Sequence, residues 1–455
     1  MYAITYWVFI FLIVFIELGR VKRSRVDFLT IFGFYFLLSY LIPCALWSTF
    51  PELYSASLPY ALYYNAAMTE EVLVSVSIAF TGFYLFYALF SSFKRPFYIN
   101  VLPFGTGVGW FYKIGFIFFL FSSLVVLGVV ITGGVKEFIS AGVEARHNHT
   151  GFGIVGYFRY FYSAFPFIFI GIALFLSCRK RLGVSWVYAP FLFLVFLIGT
   201  VALVSNGGRG ALVGAFINAL FFLYMIGFYR ISLKYALISF VVLFFSLFVI
   251  FELHHISAAL MRGDDVFLIA RIFDFVPRLF EAFFSIFQYF SHYIFIIVEA
   301  SSAPDVYSYP RLGSDNLHSL IIAVPGMDGT NVGLPELPDT ISQDVMGKHN
   351  GAIPPGWMGW ALINGGYFWL LIKVFYSSAI AAIIDGSKDY IVRSCGYFLG
   401  SYIYFILLLM VFNFLFSATA ASMVRGNVGV FVYFLALLFF PFVRVGRLKL
   451  IKGRG

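Results

Sequence analysis

Along this chain, apolar residues come in runs of about 17 to 25, each long enough to carry a helix across the hydrocarbon layer of a bilayer. The runs fall at 3 to 18, 28 to 48, 70 to 91, 110 to 132, 157 to 177, 184 to 203, 210 to 228, 233 to 252, 357 to 384, 395 to 418 and 427 to 443. They predict an all-α polytopic membrane protein of about 11 transmembrane helices, built as a single integral membrane domain over 1 to 455. The first run, "MYAITYWVFIFLIVFIEL", has neither a basic leading region nor a small-residue cleavage site. It therefore reads as a retained spanning helix.

Composition agrees with the pattern: 62% of residues are hydrophobic, 11% are charged and the mean hydropathy is +0.94. Such a chain cannot present the polar surface of a soluble domain. Its formal charge of +9 is concentrated in alternate connections. These are "RVKRSR" at 20 to 25, "KRP" at 94 to 96, "CRKR" at 178 to 181, "YRISLK" at 229 to 234, "DGSKDYIVR" at 385 to 393 and the tail "RVGRLKLIKGRG". With Lys113 they hold 19 of the 30 basic residues and two of the 21 acidic ones, Asp385 and Asp389. Basic flanks stay on the cytoplasmic side, so the N-terminus is expected outside and the C-terminus inside. The positive charge then expresses topology and attraction to anionic lipid, with no nucleic-acid partner. Cys44, Cys178 and Cys395 are isolated and lack CxxC spacing, which argues against a disulfide framework or a thiolate metal site.

The opposite side receives the 48 to 69 loop, the 133 to 156 loop with "EARHNHTGFG", the "SNGGRG" turn, the "SATAASMVRGN" connection and an extracytoplasmic segment from 254 to 356. A connection of that length on one face points to recognition or chemistry there. Within it, Arg271, Asp274, Arg278 and Glu281 recur every three or four residues and would form one charged stripe on an interfacial helix. The following "FFSIFQYFSHYIFIIVEA" reads as a membrane-dipping element or a twelfth span, with a re-entrant or interfacial placement preserving the alternation of sides. From 300 to 356, turn formers alternate with aromatic anchors, as in a folded loop or lid. Tyr307, Tyr309 and Trp357 suit sugar rings, and suit a membrane interface equally well.

Arg209 in "GGRGALVG" and Arg425 in "MVRGNVG" stand beside small residues at expected helix starts on the outer side. Guanidinium forks at helix N-termini suit phosphate oxygens, so these two, with Arg271 and Arg278 behind them, are candidates for a diphosphate site. All seven histidines fall on the outer side, yet "RHNH" and "ELHH" lack the HExxH pattern, and no metal site is expected. No Walker A or dinucleotide fingerprint is present either, which leaves no cofactor to predict. Charge inside the spans is sparse, with Lys373 the clear exception.

"TVALVSNGGRGALVGAF" at 200 to 216, the outer segment with "FQYFSHYIFIIVEA", and "GAIPPGWMGWALINGGYFWLL" opening the next span together resemble the Wzy-type O-antigen polymerases, bacterial oligosaccharide-repeat-unit polymerases. The resemblance covers roughly 110 to 440 and rests on order of features, with "PPGWMGWALINGGY" the most specific piece. The RX10G pattern of some members is absent, since position 220 is leucine and position 436 is alanine. The resemblance implies a glycosyltransferase of the bacterial inner membrane, making O-antigen or a related surface polysaccharide from undecaprenyl-pyrophosphate-linked repeat units at the outer face. Membrane lipid and a chain-length regulator are its implied partners. By similarity Arg209 and Arg425 bind the donor diphosphate, and His349 in "MGKHNGAIPPG" leads the candidates for a base, followed by Asp344, His318 and Asp265. An O-antigen ligase acting on lipid A core would share the donor, and a lipid-linked-glycan transporter would share the membrane body.

The charge pattern is directly testable. A reporter fused after Gly455 should be active only in its cytoplasmic form, and one placed within 300 to 356 only in its exported form; the reverse result would invert the expected topology.

Overall fold

The computed structural model describes residues 2–20, 26–50, 69–92, 109–139, 141, 161–182, 186–207, 209–227, 293–301, 356–416 and 427–439. Ten main helices occupy these residues: α1 (Tyr2–Arg20), α2 (Phe28–Thr49), α3 (Glu70–Ser92), α4 (Gly109–Thr132), α5 (Phe165–Leu182), α6 (Ala189–Gly207), α7 (Arg209–Met225), α8 (Gly356–Cys395), α9 (Tyr397–Phe416) and α10 (Val428–Phe439). No strand occurs among the described residues. The expected helical membrane protein is therefore present. Among the described residues, seven helices are long and apolar enough to cross a membrane, while Phe165–Ser177, Gly214–Met225 and Val428–Leu437 are apolar but shorter. The expected run at 233 to 252 lies outside the described residues.

The bundle is organised around α9, which packs against α2, α5, α7, α8 and α10. Its "YFLGSYIYFILLLMVFNFLF" has no polar face, as a helix enclosed by others requires. On one side, α8 runs along α3 and against α2; on the other, α5 meets α6 and α7, and α4 meets α6 and α10. By contrast α1 is peripheral, with Ile4, Phe11, Phe15 and Leu18 turned outward. Two close approaches need glycine. A Cβ at Gly400 would lie 2.6 Å from the Val392 Cα, at the turn joining α8 to α9, and one at Gly82 would lie 3.0 Å from the Val374 Cγ1.

Inside α2, five residues (Leu37–Leu41) form a π-turn. The cause is local: Pro43 has no N–H to offer, and the ladder slips so that the Ile42 N–H bonds to the Leu37 carbonyl.

Polar contacts gather around two carboxylates, Asp27 and Asp385. Asp27 caps α2 by accepting the Thr30 N–H at 3.0 Å, and its other oxygen pairs with Arg20, which also holds Glu17 at 2.7 Å. Asp385 of α8 accepts the Phe28 N–H at 2.9 Å and the hydroxyls of Tyr87 and Tyr404, each at 2.6 Å. Lys388 donates to the Val26 carbonyl at 3.0 Å and lies over the Tyr404 ring. One carboxylate thus joins α2, α3, α8 and α9.

Asp385→Ala would strand three donors, each costing roughly 1–3 kcal/mol when left unpaired and shielded from water. Its thermal midpoint in detergent should fall well below that of the wild type, and Asp385→Asn, which keeps an acceptor, should fall less. Equal midpoints for Asp385→Ala and wild type would remove this carboxylate from the structural frame.

Candidate functional site

The expected simple span at 357 to 384 is broken. Gly365 is extended (φ 170°, ψ 32°) and Gly366 adopts φ 64°, ψ −156°, a backbone region open essentially to glycine alone. Residues 356–364 therefore form a separate helical arm, and the long helix begins after Gly366. The correction follows from "NGG" at 364 to 366, whose two glycines interrupt an otherwise apolar helix.

The break turns the arm back along the helix that follows. In a straight helix Trp360 and Lys373 would be about 20 Å apart along the axis; here the Lys373 ammonium lies 3.9 Å from the centre of the Trp360 ring. Asn364 steadies the end of the arm, donating from Nδ2 to the Trp360 carbonyl at 2.8 Å. Every residue from Gly356 to Asn364 is buried.

The arm begins deep among side chains. Gly356 has φ 70°, and a Cβ there would meet the Tyr293 ring at 2.7 Å and the Tyr40 hydroxyl at 2.9 Å. Met358, in the first turn, donates its N–H to the Tyr40 hydroxyl at 3.5 Å, supplying a partner that the helix itself cannot. Tyr293 belongs to a helical stretch at 293–301 that is largely buried, so this part of the expected dipping element packs into the bundle.

Lys373 is 4% exposed, and no carboxylate among the described residues pairs with it. The indole N–H groups of Trp357 and Trp360 and the hydroxyl of Ser377, one turn beyond Lys373, have no hydrogen-bond partner among the described residues. Ser75 has the same character, on an α3 face that carries Ser75, Ala79 and Gly82 toward α8. Lys373 and Val374 sit at the level of Gly82, and Ser378 reaches the Phe83 carbonyl at 3.3 Å.

Among the residues singled out from sequence, Arg209 is the first residue of α7, as the helix-start reading requires of its backbone. Trp357 is fully buried, its ring centre 4.9 Å from that of Phe416 and 6.1 Å from that of Phe32, which leaves no ring surface open to a sugar. Arg425, Arg271, Arg278, His349, Asp344, His318, Asp265, Tyr307 and Tyr309 lie outside the described residues. Among those described, no three His, Cys, Asp or Glu residues are grouped as metal ligands. Sequence reasoning noticed Lys373 but missed its partner Trp360, because their meeting depends on a chain reversal.

Comparison of the chain with protein-family models, with curated proteins and with solved structures finds no match.

A Cβ added at Gly366 would have nothing within 4 Å, so an alanine there meets only the backbone penalty, of order 1–3 kcal/mol. Gly214, equally open but helical in α7, provides the control. Gly366→Ala should lower the thermal midpoint, whereas Gly214→Ala should leave it unchanged or raise it. Identical behaviour of the two variants would count against the reversed arm.

Proposed function

We propose that this protein is a membrane-embedded glycosyltransferase that polymerises undecaprenyl-pyrophosphate-linked oligosaccharide repeat units at the outer face of the bacterial inner membrane. The observation that carries the reading is the resemblance of "PPGWMGWALINGGY" to such polymerases, together with the folding of that stretch from Gly356 as a buried arm of α8. The arm joins the long polar segment to the bundle interior. A substrate with a sugar in water and a polyprenyl chain in lipid needs a catalyst that spans that boundary.

In the proposed reaction, an acceptor sugar hydroxyl attacks the anomeric carbon of the donor glycan. The bond from that carbon to the diphosphate oxygen breaks, undecaprenyl diphosphate leaves with the electron pair, and the hydroxyl proton passes to a base, for which His349 is the first candidate. Arg209 and Arg425 would hold positive charge against the leaving oxygens. Transfer to lipid A core instead of another repeat unit would make the protein a ligase.

A second reading has an observation of its own. A helix broken at a glycine pair beside a buried cation is a construction common in transporters, so transport of a lipid-linked glycan is the alternative.

Purified protein reconstituted with an authentic lipid-pyrophosphate-linked repeat unit, in chelator, should yield a ladder of lipid-linked multimers. Arg209→Ala should reduce elongation by about a hundredfold or more, in line with loss of a donor to a developing oxyanion. Transfer only after lipid A core is added would establish the ligase. Movement of the lipid between leaflets without any new glycosidic bond would establish the transporter.

A further inference from the structure

We propose that Lys373 and Trp360 mark a membrane-buried binding site for the diphosphate of a polyprenyl-linked ligand. The site lies between the reversed arm of α8 and the helix that follows, and draws on none of the arginines considered above. As a site for a glycan carrier it rests on the reading of the protein as an enzyme of lipid-linked glycans.

Burying a lysine inside an apolar bundle is costly. A cation in a hydrocarbon-embedded bundle is retained where it has a partner or a ligand. Trp360 offers the ammonium a ring face, but a ring satisfies none of its three N–H donors in the way an oxygen does. The groups around it compound this imbalance. The Trp360 N–H is a donor only, and the Ser377 hydroxyl, one helical turn beyond Lys373, can donate as well. A ligand matching such a set is rich in acceptor oxygens and negatively charged, as phosphate and diphosphate are.

Position narrows the source. Lys373 follows Gly366 by seven residues, or about 10 Å of helix. It precedes Asp385 by twelve, or about 18 Å. A soluble phosphate would have to leave water entirely to reach that depth, whereas a diphosphate tethered to a long polyprenyl chain arrives through the lipid with its anchor already buried. The chain reversal at Gly365 and Gly366 brings the arm over the ammonium, and the close approach of Gly82 to Val374 packs α3 against the next residue of α8.

The test measures binding of undecaprenyl diphosphate to the full chain in nanodiscs by native mass spectrometry, with phosphatidylglycerol and inorganic pyrophosphate as comparison probes. Lys373→Met should weaken undecaprenyl diphosphate binding by at least about tenfold, the loss expected for one charge-assisted hydrogen bond. Lys373→Arg should retain most of it, and Trp360→Phe, which keeps a ring face but removes the N–H, should give an intermediate loss. The thermal midpoint of ligand-free Lys373→Met should equal or exceed that of the wild type, because an unpaired buried charge has been removed.

Unchanged binding in Lys373→Met, or a loss accompanied by a lowered midpoint in that variant and in Lys373→Arg, would overturn the proposal. Equal dependence of phosphatidylglycerol binding on Lys373 would reassign the site to an ordinary headgroup phosphate, and equal dependence of pyrophosphate binding would remove the need for a lipid anchor; either result overturns the polyprenyl assignment. The elongation assay on wild-type protein separates the two ideas. Lys373-dependent binding without elongation keeps the site and removes the polymerase, while elongation with Lys373-independent binding does the reverse.

Discussion

Inside a bilayer, an apolar helix gains little by exchanging lipid tails for another apolar helix, so helix register must be set by steric fit and by polar groups that can be satisfied in one arrangement only. Asp385 supplies the clearest such arrangement. It takes a backbone N–H from the start of α2 and hydroxyls from α3 and α9, while belonging to α8. The Phe28 N–H is one that a helix start cannot satisfy by itself, and the capping carboxylate of Asp27 is already engaged with Thr30 and Arg20. Four helices meet at this point because three of them bring a donor to the two oxygens that the fourth supplies.

A second polar junction plays a similar part on the other side of α9. The Tyr402 hydroxyl donates to the Phe167 carbonyl of α5 at 2.9 Å and lies 2.5 Å from the Tyr433 hydroxyl of α10. Since the Tyr402 proton is committed to Phe167, Tyr433 is the donor between the two hydroxyls. Both junctions draw on tyrosine, whose ring packs like its phenylalanine neighbours while its hydroxyl sets a single orientation.

The positions of most helices were legible from the runs of apolar residues, since span length follows directly from bilayer thickness. Some ends were legible too: the expected 28 to 48 and 70 to 91 correspond to Phe28–Thr49 and Glu70–Ser92, whereas the helix expected to stop at 384 runs on to Cys395. What hydropathy does not report is direction within a run. Residues 356–364 and 366 onward are apolar alike, and only the φ of Gly366 separates an arm that turns back from a helix that continues. For the same reason Trp357 reads from sequence as an aromatic beside a polar loop, although its ring is enclosed by Phe32 and Phe416. Lys373 stood out because charge is scarce in such runs, but its surroundings come from residues on either side of the reversal and from α3. The candidate site is thus the part of the molecule least determined by local pattern.

The contact between Phe28 and Asp385 also bears on how the chain is made. Its two ends are 357 residues apart. Chains are synthesised at about 5–20 residues per second, so α2 enters the membrane tens of seconds before α8 emerges. Throughout that interval the contacts that the described residues offer the start of α2 are those of Asp27, Arg20 and Glu17. The ion pairs at that end are therefore a temporary mooring as well as a final contact: they keep an unfinished helix in register until the residue that completes its N-terminus has been translated.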